Sequence, residues 1–250
     1  GDIVSESEVM EELKKKIERV AATDSTVLIH GETGTGKELA AQAIHNESRR
    51  CREKFIAQNC AAIPGNLLEN ILFGTMKGSF TDARDKPGLF EVASGGTIFL
   101  DEIHAMEWKV QAKLLKAIEE QQIYRLGATE PIPIDVRFIA AVNRDPLECV
   151  AEGLLREDLY YRLKVVQLDI PNLKERREDI GKLTEYFIAQ FNQKMNNSIL
   201  VMCASCEISS SVRSTSLREK GLNWRISTVM RRKSSRFGGG RDRRPKARWI

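Results

Sequence analysis

The stretch Gly31-Glu32-Thr33-Gly34-Thr35-Gly36-Lys37 follows the short apolar run Thr26-Val27-Leu28-Ile29-His30 and opens a helical stretch, Lys37–Asn46. It satisfies the spacing G-x-x-x-x-G-K in the context that spacing requires, a strand before and a helix after. Glycines there let backbone N–H groups turn inward onto phosphate oxygens. The helix N-terminus adds partial positive charge, and the Lys37 ammonium reaches the outer phosphates. Glu38 stands where such loops commonly offer a Ser or Thr hydroxyl to magnesium. Gly31 to Glu38 is therefore the candidate phosphate-binding loop; the competing reading, a glycine-rich turn without a ligand, fits the flanking elements less well.

Further along, Gly95-Gly96-Thr97-Ile98-Phe99-Leu100-Asp101-Glu102 reads as a buried strand that ends in two adjacent carboxylates. Phosphoryl transfer to water needs one acid to hold hydrated magnesium and another to orient or deprotonate the water. Asp101 is the candidate for the metal and Glu102 for the base. An acid pair at a strand end is otherwise a helix cap, but the loop upstream favours the chemical reading.

Around these two motifs the pattern alternates. Residues from Ser5 to about Ala22 carry an apolar stripe, Val9, Leu13, Ile17 and Val20, and Ser5 with Glu8 makes a capping box. Phe55–Gln58, Thr97–Leu100, Arg137–Val142 and Val165–Ile170 have strand length. Met106–Gln121, with Val110, Leu114, Leu115 and Ile118, and Asp179–Met195 are helical. Strands that are apolar throughout and alternate with helices predict an α/β fold, a parallel sheet with helices on both faces.

The full chain has 250 residues, 42% of them hydrophobic and 30% charged, an ordinary soluble composition with a net charge of +4. No apolar run approaches the length of a membrane helix, so no membrane partner is expected. The chain opens on Gly1-Asp2 without a basic-then-apolar leader, as expected of a piece of a longer cytoplasmic protein rather than a secreted precursor. Five Cys are too few and too scattered for a disulfide scaffold. Cys203 and Cys206 form a single C-x-x-C far from the three His, which argues against a zinc site.

At this point the sequence resembles the bacterial enhancer-binding AAA+ activators of sigma-54 RNA polymerase, over about Ser7 to about Met195. Its most specific motif is Lys77-Gly78-Ser79-Phe80-Thr81-Asp82-Ala83, similar to the family's G-A-F-T-G-A loop, in which the Phe and Thr touch sigma-54. By that resemblance Gly78, Ser79, Phe80, Thr81, Asp82 and Ala83 form the sigma-54 contact, with Asp82 replacing a glycine that takes positive φ freely. Gln58-Asn59-Cys60-Ala61 resembles the segment whose Asn restrains the catalytic Glu, so Asn59 would hold Glu102. Ala140-Ala141-Val142-Asn143 is similar to the sensor I strand, with Val142 for the family's Thr and Asn143 left to report on the nucleotide. Leu155–Leu163 resembles the arginine-finger helix, with Arg156 and Arg162 as the fingers. The resemblance implies ATP and Mg2+ as cofactors, ATP hydrolysis between subunits of a ring, a hexamer in the family, and the sigma-54 RNA polymerase holoenzyme as partner. DNA would be met only through domains absent from this chain.

Three parts are expected. Residues 1–172 form the AAA+ P-loop NTPase subdomain, and residues 173–196, after Pro171-Asn172-Leu173, start a helical lid that is incomplete. Residues 197–250 form an atypical tail with 13 Lys and Arg against 3 Asp and Glu and ten Ser. The tail reads as a basic nucleic-acid arm, a disordered extension, or an out-of-frame translation. A break inside a subdomain favours the last, and poor hydrolysis is then expected. A basic nucleic-acid-binding protein acting through this tail, or a truncated product with little activity, is the alternative function.

Overall fold

A computed structural model describes residues 3–78 and 84–195. Ser79 to Ala83, Cys203, Cys206 and the whole basic tail lie outside the described residues. In chain order the elements are α1 (Glu8–Ala21), β1 (Val27–His30), α2 (Lys37–Asn46), β2 (Phe55–Asn59) and α3 (Gly65–Phe73). The two-residue strands β3 (Gly74–Thr75) and β4 (Lys86–Pro87) come next, then α4 (Leu89–Val92), β5 (Thr97–Asp101) and a 3₁₀ turn at Ile103–Ala105. They are followed by α5 (Trp108–Glu120), the short strands β6 (Gln122–Ile123) and β7 (Ile132–Pro133), β8 (Arg137–Val142), α6 (Pro146–Ala151), α7 (Glu157–Leu163), β9 (Val166–Asp169) and α8 (Asp179–Met195).

The central sheet is parallel throughout, in the order β2-β5-β8-β1-β9. Side chains alternate across it, and each face has its own core. On one face Leu28, Ile98, Leu100, Phe138, Ala140 and Val142 pack with Leu68 and Leu72 of α3, Val110 and Leu114 of α5 and Leu159 of α7. On the other, Val27, Ile29, Phe99, Ile139, Ala141 and Leu168 pack with Leu13 and Ile17 of α1 and Ala40, Ala41 and Ile44 of α2. This two-sided burial is why β1, β5 and β8 read as unbroken apolar runs, and the α/β fold expected from them is the fold observed.

Two local expectations are corrected. Helix α1 starts at Glu8 with Ser7 at the cap, not Ser5, and no side chain caps it, so the Ser5–Glu8 box does not form. The Ser7 hydroxyl is instead given to Asp179, at 2.9 Å. Val9 is half exposed, and the buried stripe runs through Met10, Leu13, Ile17 and Val20. Met10 lies three residues before Leu13 and seven before Ile17, on the buried face, while Val9 falls at its exposed edge.

The described residues on either side of positions 79–83 form a braced neck. Strands β3 and β4 pair antiparallel, and Gly74 and Met76 exchange backbone hydrogen bonds with Leu126 beyond β6. The Thr75 hydroxyl donates to the Arg84 carbonyl at 2.7 Å, and the Lys77 N–H donates to Asp85 Oδ1 at 2.7 Å. Below the neck, the Arg125 guanidinium grips both oxygens of Glu91.

The neck and the sheet floor make separate expectations. Gly96 passes so close to Lys54 that a Cβ would be driven into the Lys54 carbonyl. Gly96→Ala should cost about 1–3 kcal/mol in urea unfolding. The hydrogen bonds from Arg125 hold the Glu91 carboxyl below the usual range, against the opposing pull of burial. Because the folded-state pKa is depressed, the stabilisation is present above the unfolded value and disappears as pH falls through the folded one. Glu91→Gln should therefore cost about 1 kcal/mol at neutral pH, a deficit that closes below about pH 4 when unfolding is followed across pH.

Candidate active site

The parallel register carries the ends of β1, β5 and β8 to one edge of the sheet. There the loop after β1 turns through Gly34 and Gly36, both left-handed with φ of 85° and 98°, a conformation that strains any residue with a Cβ. At Gly31 a Cβ would meet the Thr35 hydroxyl at 2.9 Å and the Ile170 carbonyl at 3.0 Å. The Thr35 hydroxyl donates to the Glu32 carbonyl at 2.8 Å and tightens the turn. Lys37 is buried at the first turn of α2, its Nζ donating to the Gly31 and Glu32 carbonyl oxygens at 2.9 and 3.2 Å. Among the described residues no carboxylate pairs with it. A buried ammonium neutralised only by carbonyl dipoles is a strong attractor for an anion. Glu38, the next residue, is exposed.

Asp101 ends β5, and its Oδ1 accepts the Glu102 N–H at 3.0 Å. Glu102 itself adopts φ 55° and ψ 47°, a left-handed conformation rare for a non-glycine residue and common at functional sites. Its Oε1 accepts a hydrogen bond from Asn143 Nδ2 at 3.1 Å, and the same amide lies 3.4 Å from the Thr33 hydroxyl in the phosphate loop. Asn143 Oδ1 is buried with no partner. One side chain at the end of β8 thus links the loop to the strand-end acid. Asn59, expected to hold Glu102, does not do so here: its Oδ1 accepts the N–H groups of Ala61 and Ala62 and shapes the turn after β2. Asn143 takes its place.

A cavity of about 700 Å³ opens beside the loop. Glu32 to Gly36 form its polar end, and Ile3, Val4, Leu39, Ile170, Leu173 and Phe187 form an apolar end. Arg176 crosses between them, buried, donating to the Thr35 carbonyl at 2.9 Å and lying 3.1 Å from the Met10 sulfur. An elongated ligand with several negative charges at one tip and an apolar ring at the other matches this division.

The two arginines lie apart from the loop, and neither hydrogen-bonds to residues 31–38. Arg156 precedes α7, its N–H held by the fully buried Gln111 at 2.9 Å. Its guanidinium is engaged within the chain, donating to both oxygens of Asp158 at 3.0 and 2.7 Å and standing 5.3 Å from the Trp108 ring. Arg162, in the last turn of α7, is exposed and makes no ion pair among the described residues. Of the residues aligned with the sigma-54 contact only Gly78, at φ 88°, is described; Ser79, Phe80, Thr81, Asp82 and Ala83 lie outside.

Several contributors were missed in the sequence. His104, three residues past Asp101, has a buried Nδ1 without a partner, and burial pushes its imidazole below the ordinary range despite the opposing charge of Glu102. Cys60 packs under the acid pair, where burial first, then the charges of Asp101 and Glu102, push the thiol up. Arg176 and Asp179 lie in the charged stretch Lys174-Glu175-Arg176-Arg177-Glu178-Asp179, where the lid is expected to start. Nothing local marks them as buried, because their partners lie far away in the sequence.

A family profile described as the sigma-54 interaction domain matches residues 3–169. The transcriptional activator RocR of Bacillus subtilis is 53% identical over 190 residues, which are 76% of this chain and 41% of RocR. The Nif-specific regulatory protein of Azospirillum brasilense is 51% identical over 81% of this chain and 32% of its own length. Among solved structures, NtrX from Brucella abortus in complex with ATP superposes with a TM-score of 0.73 at 39% identity, over 78% of this chain and 42% of NtrX. The chain thus spans well under half the length of these relatives, and no helix among its described residues is long and apolar enough to cross a membrane. With that profile covering two thirds of the chain, and relatives about half identical over three quarters or more of it, this protein belongs to the sigma-54 interaction domain family.

Proposed function

We propose that the chain is the ATP-hydrolysing AAA+ core of a cytoplasmic sigma-54-dependent transcriptional activator. The observation that carries the reading is the hydrogen-bonded set Thr33–Asn143–Glu102, which ties a phosphate loop to a general-base carboxylate beside an elongated cavity. In this reading the N–H groups of Gly31–Lys37 and the Lys37 ammonium bind the phosphates, and the apolar end of the cavity takes the adenine. Glu102 accepts the proton of the attacking water, and Asn143 holds its carboxylate in line while sensing the loop.

Asp101 fits a hard divalent cation: Oδ1 is satisfied by the Glu102 N–H, and Oδ2 takes no hydrogen bond among the described residues. When bound, Mg2+ supplies charge neutralisation across the outer phosphates. Arg156 and Arg162 act across a subunit boundary on the neighbour's nucleotide, as a ring, a hexamer in the family, would allow. Residues 78–83 contact sigma-54 within the RNA polymerase holoenzyme. DNA is reached through domains outside this chain. NtrX in complex with ADP superposes as well as NtrX in complex with ATP, which supports a nucleotide at this loop.

Turnover by this chain is slow. Val142 offers methyl groups and Glu38 a carboxylate where hydroxyls would assist, and Asp82 replaces a flexible glycine. Helix α8 also leaves Ile180, Phe187 and Phe191 exposed, an apolar face suited to further lid helices.

Equilibrium binding and turnover test the assignment together. With magnesium present, Lys37→Ala should weaken ATP at least about tenfold, having removed the charge-assisted contacts to the outer phosphates. Glu102→Gln should bind ATP as the parent does while losing about 10²–10⁴ in hydrolysis rate. No affinity of the parent chain for adenine nucleotides would overturn the reading.

A further inference from the structure

The N-terminal arm, Ile3 to Ser7, has no regular secondary structure, yet it supplies part of the cavity wall through Ile3 and Val4. What holds it is one carboxylate from the other end of the described chain. Asp179, the first residue of α8, is fully buried. Its Oδ1 accepts the N–H groups of Glu6 and Ser7 at 2.6 and 2.8 Å, and its Oδ2 accepts the Ser7 hydroxyl at 2.9 Å. A surface ion pair, Lys182 to Glu6 at 3.1 Å, backs the same clasp.

Three donors on one buried carboxylate fix both the height and the direction of the arm. A carboxylate taken out of water is stable only when such bonds replace its hydration, and here nearly all of them come from the arm. The arm in turn has few other anchors; Ser5 Oγ is buried with no partner. Remove the acceptor and the two buried N–H groups lose their partner, so the arm is expected to swing toward water and carry Ile3 and Val4 with it. The phosphate end of the cavity does not depend on this contact. Gly31 to Lys37 are held by their own hydrogen bonds and by β1.

We propose that Asp179 is a positioning residue for the base end of the nucleotide, acting through the arm it clasps. The inference rests on the nucleotide reading above and adds to it a division of labour. The phosphate loop sets affinity for the triphosphate, and the Asp179 clasp sets how much of that affinity is specific to a nucleoside. It follows that displacement of the arm loosens the base and leaves the phosphates gripped.

The test compares a ligand that has a base with one that lacks it. A ribose-linked fluorescent ATP analogue is titrated into the full chain with magnesium, then displaced by ATP or by inorganic tripolyphosphate. Asp179→Ala should weaken ATP about tenfold while tripolyphosphate stays within about twofold, and Ser7→Ala, which removes one of the three donors, should fall between. Parallel weakening of both ligands, or no change in either, overturns the proposal. Should Asp179→Ala not fold by circular dichroism, Ile3→Ser combined with Val4→Ser reads the same wall without touching the carboxylate, and unchanged ATP affinity there overturns it too. A parent chain that binds neither ligand defeats the nucleotide reading itself, whereas one that binds both with an unresponsive Asp179 defeats only the clasp.

Discussion

A parallel ladder leaves each strand's C-terminal end on the same side as its neighbour's, and at this site that alignment does most of the assembling. His30 pairs with Val142, and Leu100 with Ala140, so the residues that follow β1, β5 and β8 emerge together. Gly31, Asp101 and Asn143 come from three separate stretches of sequence and need no further device to meet. The strands can hold this register because both faces are buried; a slip of one residue would turn Leu28, Ile98 and Ala140 onto the opposite core. Chemistry at the edge is thus a consequence of apolar packing in the middle.

Buried charge plays the complementary part at both ends of α1. At its C-terminus, Arg137 is almost wholly buried and donates to the Val20 and Ala21 carbonyls at 2.8 and 3.3 Å, where a helix presents unpaired acceptors and partial negative charge. At its N-terminus, Asp179 accepts from Glu6 and Ser7, where the helix presents unpaired donors. Burial alone would raise the Asp179 carboxyl, yet the hydrogen bonds from Glu6 and Ser7 hold it below the usual range. Each charge meets the end of the helix dipole that suits it. Helix α1 is therefore pinned between the floor of the sheet and the start of α8, and Arg176 adds a link from Met10 to the phosphate loop.

The legible features were those whose cause is local. Glycines at fixed spacing before a helix, apolar runs of strand length and the phase of α5 each depend on neighbours within a few residues. The 2-residue strands flanking Gly78 gave no period to detect. The start of α1 was misplaced because Ser5 and Ser7 are both acceptable caps, and the choice between them is made by Asp179 from 172 residues away. Asn59 and Asn143 pose the same problem in sharper form. Asn59 ends β2 and Asn143 follows β8, and family likeness points to Asn59 as the partner of Glu102. The left-handed turn at Glu102, invisible in sequence, accompanies a carboxylate bonded to Asn143 from β8. Asn59, with Ala61 and Ala62 offering two N–H groups at hand, satisfies itself locally.

The two arginines of the α7 region show how one motif can hold residues in unequal states. Arg156 gives two hydrogen bonds to Asp158 and lies over Trp108, whose indole N–H is itself fixed to the Gly153 carbonyl at 2.6 Å. An outward swing of Arg156 therefore first gives up its bonds to Asp158 and its place over the Trp108 ring, to be offset by whatever anion it meets. Arg162, in the last turn of α7, makes no ion pair among the described residues. One motif thus holds a tethered guanidinium beside an exposed one that makes no ion pair among the described residues. The asymmetry arises from Asp158 alone among the acids of α7, since Glu157, one residue closer in sequence, makes no ion pair among the described residues.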